Sequence, residues 1–192
     1  SSARTVVRRR EFRDEPELRR AFGEALGERT GLTVAKCLDW YDDDFYPAFL
    51  ELLERRSHLR PRLLQHLSRL RRAGVRIAVV SDFGKIEERL KAIGIPPEAF
   101  DVVQSSEACG ALKPWPRSVM VVAEAFDIEP EGILVVGDRP ELDGGCASAA
   151  GMSYCAISPS ASAKPRRHSD GTTLLPWSEA SRAIATRTKS VE

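Results

Sequence analysis

The stretch Ile133-Leu134-Val135-Val136-Gly137-Asp138-Arg139-Pro140-Glu141-Leu142-Asp143-Gly144-Gly145 narrows the folds open to this chain more than any other. Four consecutive apolar residues, largely β-branched, read as a strand buried on both faces, the habit of parallel sheets. The run stops at Gly137, which tolerates backbone conformations that other residues avoid, and Asp138 follows at once. The Gly/Ala-rich segment 144–151 then reads as the start of a tightly packed helix. A carboxylate just past the carboxyl end of such a strand lies where open α/β sheets keep their ligands. Asp138 and Asp143 are thus placed to hold a hard cation through oxygen. They equally suit the start of the following helix, where acidic residues cap and complement the dipole. The loop alone leaves both readings open.

The same strand–loop–helix unit recurs through the second half of the chain. A helix opened by Pro61 carries Leu63, Leu64, Leu67 and Leu70 on one face and ends at Gly74. Strand Val75–Val80 leads into Ser81-Asp82-Phe83-Gly84, followed by a helix over 85–93 closed by Gly94 and Pro96-Pro97. A short strand at 101–104, a helix from Pro116, the strand at Ile133, a small-residue helix and a strand over 154–157 complete the series. Strands alternating with helices of this length imply parallel pairing and right-handed crossovers. The expected core is therefore α/β, a doubly wound, Rossmann-like parallel sheet.

Residues 1–57 lack a strand run and read as a small helical module. Leu18, Phe22, Ala25 and Leu26 fall at helical spacing, with Gly27 ending the turn, and a second amphipathic piece covers about 43–56. Between them Cys37-Leu38-Asp39-Trp40-Tyr41 reads as an aromatic and acidic link. Residues 58–192 form the core unit. Within it, 158–171 are Ser-, Ala-, Pro- and Arg-rich and read as a loose loop, and 172–192 as a last short strand, a helix over about 177–187 and a frayed end.

Composition excludes several functions. The formal net charge is +1, so no field for nucleic acid is implied. The clusters Arg8-Arg9-Arg10 and Arg69, Arg71, Arg72 read as solvated faces. No apolar run approaches the ~18 residues of a membrane span. The four cysteines, Cys37, Cys109, Cys146 and Cys155, form no paired metal motif and read as free thiols, with Cys146 and Cys155 buried. A cytoplasmic, reducing location is expected.

Three loops fall at the carboxyl ends of successive strands. Ser81 and the exposed backbone N–H groups around it suit a phosphate oxygen, although a serine there is also a common helix cap. Lys113 sits in Gly110-Ala111-Leu112-Lys113-Pro114-Trp115-Pro116, where two prolines stiffen the backbone around a cation fit for a phosphoryl dianion. The third loop carries Asp138 and Asp143.

In this order the loops resemble the haloacid dehalogenase (HAD) superfamily over roughly 60–158. Val79-Val80-Ser81-Asp82 is similar to its second motif, Lys113-Pro114-Trp115-Pro116 to its third, and Gly137-Asp138 with Asp143 to its fourth. The resemblance implies that Ser81 binds the transferring phosphoryl group and Lys113 neutralises it. It also implies that Asp138 binds Mg²⁺ and that Asp143 supports the metal or the lysine. Asp82 and Phe83 are further candidates to face the substrate. The helical module looks like the family's cap, where Trp40, Tyr41, Phe45 and Tyr46 either touch substrate or pack the cap against itself.

The family's first motif, an apolar strand ending in Asp-x-Asp, has no counterpart here. Thr5-Val6-Val7 is too short, and Asp42-Asp43-Asp44 follows no buried strand. The expectation is a Mg²⁺-dependent phosphohydrolase of a small phosphorylated metabolite whose nucleophile strand is missing from this chain through truncation, so that the chain alone shows little turnover. The alternatives are a non-catalytic relative that binds phosphate or a protein partner, and a metal-free dehalogenase. A sheet lacking a strand would also invite a homodimer.

Overall fold

The computed structural model describes residues 2–57, 59–60, 62–158, 166–167, 173–175 and 179–180. Its front region is helical. In α1 (Ala3–Val7) the Ser2 hydroxyl accepts from Thr5 N, and in α2 (Glu15–Thr30) the Asp14 carboxylate accepts from Glu17 N, each satisfying a first-turn donor. Helix α2 runs through Gly27, where the sequence pattern ended it, and stops at Gly31, which takes φ +74° and donates to Gly27 O. Gly27 is small for another reason: a side chain there would meet Leu32 O at 2.7 Å, where the chain turns back.

The expected link at Cys37–Tyr41 is itself helical. α3 (Val34–Trp40), capped by Thr33, passes through a π-helical turn, Tyr41–Phe45, into α4 (Tyr46–Arg56) without a break. A π turn adds a residue to the helix and resets the phase of its faces, which hid the continuity from a 3.6-residue period.

The βα alternation is present in the order read, although the first strand starts at Ala78, not Val75, and includes Ser81. It runs α5 (Leu63–Arg72), β1 (Ala78–Ser81), α6 (Ile86–Ala92), β2 (Val102–Ser105), α7 (Arg117–Phe126), β3 (Leu134–Gly137), α8 (Gly145–Ala149) and β4 (Ser153–Ala156). Pro61 lies outside the described residues. β1 pairs in parallel with β2, Ala78 with Val102 through Ser81 with Ser105, and β3 in parallel with β4, Leu134 with Ser153 through Gly137 with Ala156. β5 (Arg166–Arg167) and β6 (Thr173–Leu174) pair antiparallel, and Leu175 bridges Ile157. Most of the expected loose loop at 158–171 and of the terminal helix lies outside the described residues.

Among the described residues β1 and β3 are not partners, so each keeps an unpaired edge. Val80 of β1 and Val135 of β3 nonetheless pack on one cluster, formed by Val119 and Ala123 of α7, Cys146 and Ala147 of α8, and Met152. The expectation that β3 is buried on both faces is corrected here: Val136 is 38% exposed, and among the described residues β3 has a neighbour on one edge only. A second cluster joins Ala3, Val7, Phe12, Leu18, Phe22, Tyr41 and Tyr46 of the front region to Leu112, the residue before Lys113. The front helices therefore bear directly on the loops that end the strands. Glycine matters at one such contact: Gly110 has φ +69°, and a Cβ there would lie 2.8 Å from Phe12 O.

Candidate active site

Parallel strands in one orientation deliver their following loops to one rim, and here side chains tie those loops together. Asp82, 8% exposed, follows β1 and accepts at Oδ1 from the backbone N of Lys113, 3.0 Å away in the loop after β2. The Lys113 ammonium in turn donates to Asp143 Oδ1, in the loop after β3, at 2.5 Å, with both side chains largely buried. Asp143 Oδ2 accepts from Arg139 N at 3.2 Å. Asp82, Lys113 and Asp143 are thus joined by direct hydrogen bonds, and Ser81 precedes Asp82 at the end of β1. Asp138 stands exposed immediately after Gly137 and makes no ion pair among the described residues.

Gly137 is small because Asp143 folds back over it. A Cβ on Gly137 would lie 2.6 Å from the Asp143 Cβ and closer still to its carboxylate. Gly137→Ala is expected to displace Asp143 from Lys113 and cost about 1–3 kcal/mol, the usual range for overpacking. Chemical denaturation measures the loss, and wild-type stability in the variant would contradict the close packing.

The order of Asp138 and Asp143 fits a divalent cation in part. Mg²⁺ takes one or two carboxylates and fills its shell with phosphate oxygens and water. Asp138 offers an uncommitted carboxylate, whereas Asp143 is engaged by Lys113 and Arg139 N. No three His, Cys, Asp or Glu residues gather into a metal cluster among the described residues. The donor set therefore suits Asp138 as the direct ligand and Asp143 as the group that orients Lys113.

Three arginines surround the Ser81–Phe83 turn, and sequence reasoning missed them all. Arg8 donates to Asp82 Oδ2 at 2.7 Å, and Arg4 donates to Asp82 O at 3.0 Å. The reading of Arg8 as part of a solvated face is corrected: its side chain is 19% exposed. Both Asp82 oxygens are engaged, so this carboxylate joins loops where it was expected to face substrate. Arg89 of α6 donates to Ser81 Oγ at 2.8 Å and to Phe83 O at 3.2 Å.

Behind the turn lies a buried polar cluster with no sequence motif. Glu107, 4% exposed, pairs with Arg4 and accepts from the hydroxyls of Tyr41 (2.9 Å) and Tyr46 (3.3 Å) and from Gly84 N (2.8 Å). Burial opposes the Arg4 charge, but Glu107 and Tyr41 more than offset it, so Arg4 is held above its ordinary range. Burial, then Glu107, pushes the Tyr41 and Tyr46 hydroxyls up. A side chain on Gly84 would strike Glu107 Oε2 at 2.9 Å. Phe83 extends the cluster, with Phe49 at 5.6 Å and the Arg4 guanidinium 3.8 Å over its ring. The front-region aromatics thus pack on the strand-end turn as well as on one another, and Trp40 remains 45% exposed.

Cys146 lies under the rim, 0% exposed, donating to Trp115 O at 3.2 Å. Cys155, expected buried, is only partly so. Burial pushes the Cys146 thiol up to about 11. At pH 7.5 roughly 0.03% of it would be thiolate, so native Cys146 should resist iodoacetamide. The raised value stabilises the fold fully below about pH 8.5, and the contribution disappears as pH rises toward 11. Denaturation at pH 8 and 10.5 should show a drop that is smaller in Cys146→Ala; equal drops would contradict it.

A family model described as a hydrolase, haloacid dehalogenase-like hydrolase, matches residues 4–151. Over 83 residues the chain is 37% identical to haloacid dehalogenase-like hydrolase domain-containing protein 3 of Bos taurus, covering 43% of this chain and 33% of that protein. The chain thus spans about a third of the length of the curated relatives it matches. It superposes on a HAD phosphatase from Thermococcus onnurineus with a TM-score of 0.61 and 23% identity, covering 85% of this chain and 86% of the other. A beta-phosphoglucomutase from Clostridium difficile gives 0.60 and 13%, with coverage of 82% and 65%. At these identities the structural likeness speaks for the fold, a Rossmann-type α/β core. No helix among the described residues is long and apolar enough to cross a membrane.

Proposed function

The chain belongs to the haloacid dehalogenase-like hydrolases, and from that premise we propose that its strand-end rim serves a Mg²⁺-dependent phosphohydrolase acting on a small phosphorylated metabolite. The observation that carries the reading is the Lys113–Asp143 pair at 2.5 Å, locked through Lys113 N and Asp82 to the turn that holds Ser81. Phosphoryl transfer asks for positioning and charge neutralisation above all. Lys113 supplies a fixed cation beside the phosphoryl oxygens, and Asp143 sets its direction. Ser81 contributes a hydrogen bond from its hydroxyl. Asp138 would hold Mg²⁺, which supplies further neutralisation of phosphoryl charge when bound. The free thiols support a reducing, cytoplasmic setting.

The nucleophile in this reading is a carboxylate on a strand paired to the open edges of β1 and β3. None of the described residues takes that place, so the 192-residue chain alone is expected to show little or no turnover. One observation favours a second reading, a non-catalytic relative that binds phosphate or a protein partner: β1 and β3 each keep one unpaired edge among the described residues. A panel of phosphomonoesters, assayed with Mg²⁺ on the chain carrying an added Asp-bearing first strand, separates the two. Mg²⁺-dependent release of phosphate supports the hydrolase, and no turnover on any ester supports the binding protein.

A further inference from the structure

We infer that Arg89 is a positioning residue that fixes the Ser81 hydroxyl as a hydrogen-bond donor to a phosphoryl-type anion; this rests on the proposed role of the rim. A serine hydroxyl has one proton to give and two lone pairs to receive. Ser81 Oγ receives from Arg89 Nη1 at 2.8 Å and from Phe83 N at 3.3 Å. A guanidinium and a backbone amide can only donate, so both lone pairs are filled and the remaining O–H must point elsewhere. Nothing among the described residues accepts it. An anion with unfilled oxygen lone pairs is the complement, and a ligand that must donate to Ser81 is refused.

Arg89 is held for this task from several sides. It lies on α6, eight residues after Ser81, and its second bond, to Phe83 O at 3.2 Å, spans the turn. The guanidinium also stacks over Phe49 at 5.4 Å and Phe83 at 5.5 Å. Its Nε is buried without a partner. Orphaned buried donors are rare where only packing is at stake, so this arginine is placed for its Nη1 bond at the expense of Nε. Burial draws its pKa down, yet a guanidinium keeps its proton at any working pH. The polarity imposed on Ser81 is therefore independent of pH.

The test is calorimetric titration of the full chain with inorganic phosphate in the presence of Mg²⁺. Ser81→Ala and Arg89→Met should each weaken phosphate binding roughly tenfold or more. The double variant should bind no more weakly than Ser81→Ala alone, because Arg89 acts through Ser81. If Arg89→Met fails to fold, Arg89→Lys carries the test: one ammonium donor to Ser81 should keep affinity within about threefold of wild type. Additive losses, or unchanged affinity in Arg89→Met, would overturn the inference and leave the phosphate site standing. An unbound wild type, or a Ser81→Ala variant that binds like wild type, would overturn both.

Discussion

Replacing Glu107 with alanine should destabilise the protein by about 3–5 kcal/mol, the range for breaking a buried ion pair from one side. The effect is large because one carboxylate serves four donors from three parts of the chain. Arg4 comes from α1, the Tyr41 and Tyr46 hydroxyls from the π turn and the start of α4, and Gly84 N from the turn after β1. Alanine would leave the Arg4 guanidinium, with 13% of its side chain exposed, facing the Tyr41 hydroxyl and Asp82 O without the carboxylate that neutralises it. Unsatisfied buried donors keep the full cost of their lost hydration. Glu107→Gln should lose less than alanine, since its amide oxygen still accepts on one side, although the NH2 that replaces the other oxygen can only donate. Urea denaturation of the two variants measures both, and a loss below about 1 kcal/mol for alanine would show that the network contributes little.

Lys113→Met should have a double effect. The buried Asp143 carboxylate would lose its cation, with an expected loss of about 3 kcal/mol, the low end for a pair that water still reaches at its rim. Adding Asp143→Asn should restore most of that stability, because two neutral groups no longer strand a charge. Function would not return with it. In the chain completed with a nucleophile strand, both Lys113→Met and the double variant should lose roughly 10²–10³-fold in turnover, the scale for removing one electrostatic stabiliser. Stability that fails to recover in the double variant would contradict the pair as the source of the loss. Turnover that survives in either would remove Lys113 from the reaction.

What the sequence disclosed and what it hid follow from the range of the interactions. Ser81 and Asp138 were legible because each closes or follows an apolar run, and local hydrophobicity marks a strand's end. The βα alternation was legible for the same reason. Lys113 and Asp143 were singled out by the prolines beside the one and the spacing from Asp138 of the other. Arg4, Arg8 and Glu107 were not legible, since their ion pairs span 74 and 103 positions and no local period encodes them. Arg8 was misread because its neighbours Arg9 and Arg10 do face solvent. The continuous helix from Val34 to Arg56 was obscured by the π turn, although Thr33 marked its start. Val136 was expected inside because an apolar run does not say whether both edges of its strand are covered.

The Arg4–Glu107 and Arg8–Asp82 bonds change how the front region is understood. Its helices reach through Phe12, Leu112 and the aromatic row ending at Phe83 to the turns that carry Ser81 and Lys113. Phe12 N donates to Gly110 O at 2.8 Å, and Trp115 Nε1 donates to Arg8 O at 3.0 Å. A shift of these helices would be felt first at Ser81 and Lys113.

The central claim is that three separated turns make a single receptor for a phosphoryl dianion. A crystal structure of the chain with tungstate, a phosphoryl mimic, and Mg²⁺ tests it most directly. The account predicts tungstate oxygens within hydrogen-bond reach of Ser81 Oγ and Lys113 Nζ, with the cation on Asp138. Tungstate bound elsewhere, with Ser81 and Lys113 contacting only protein, would contradict it.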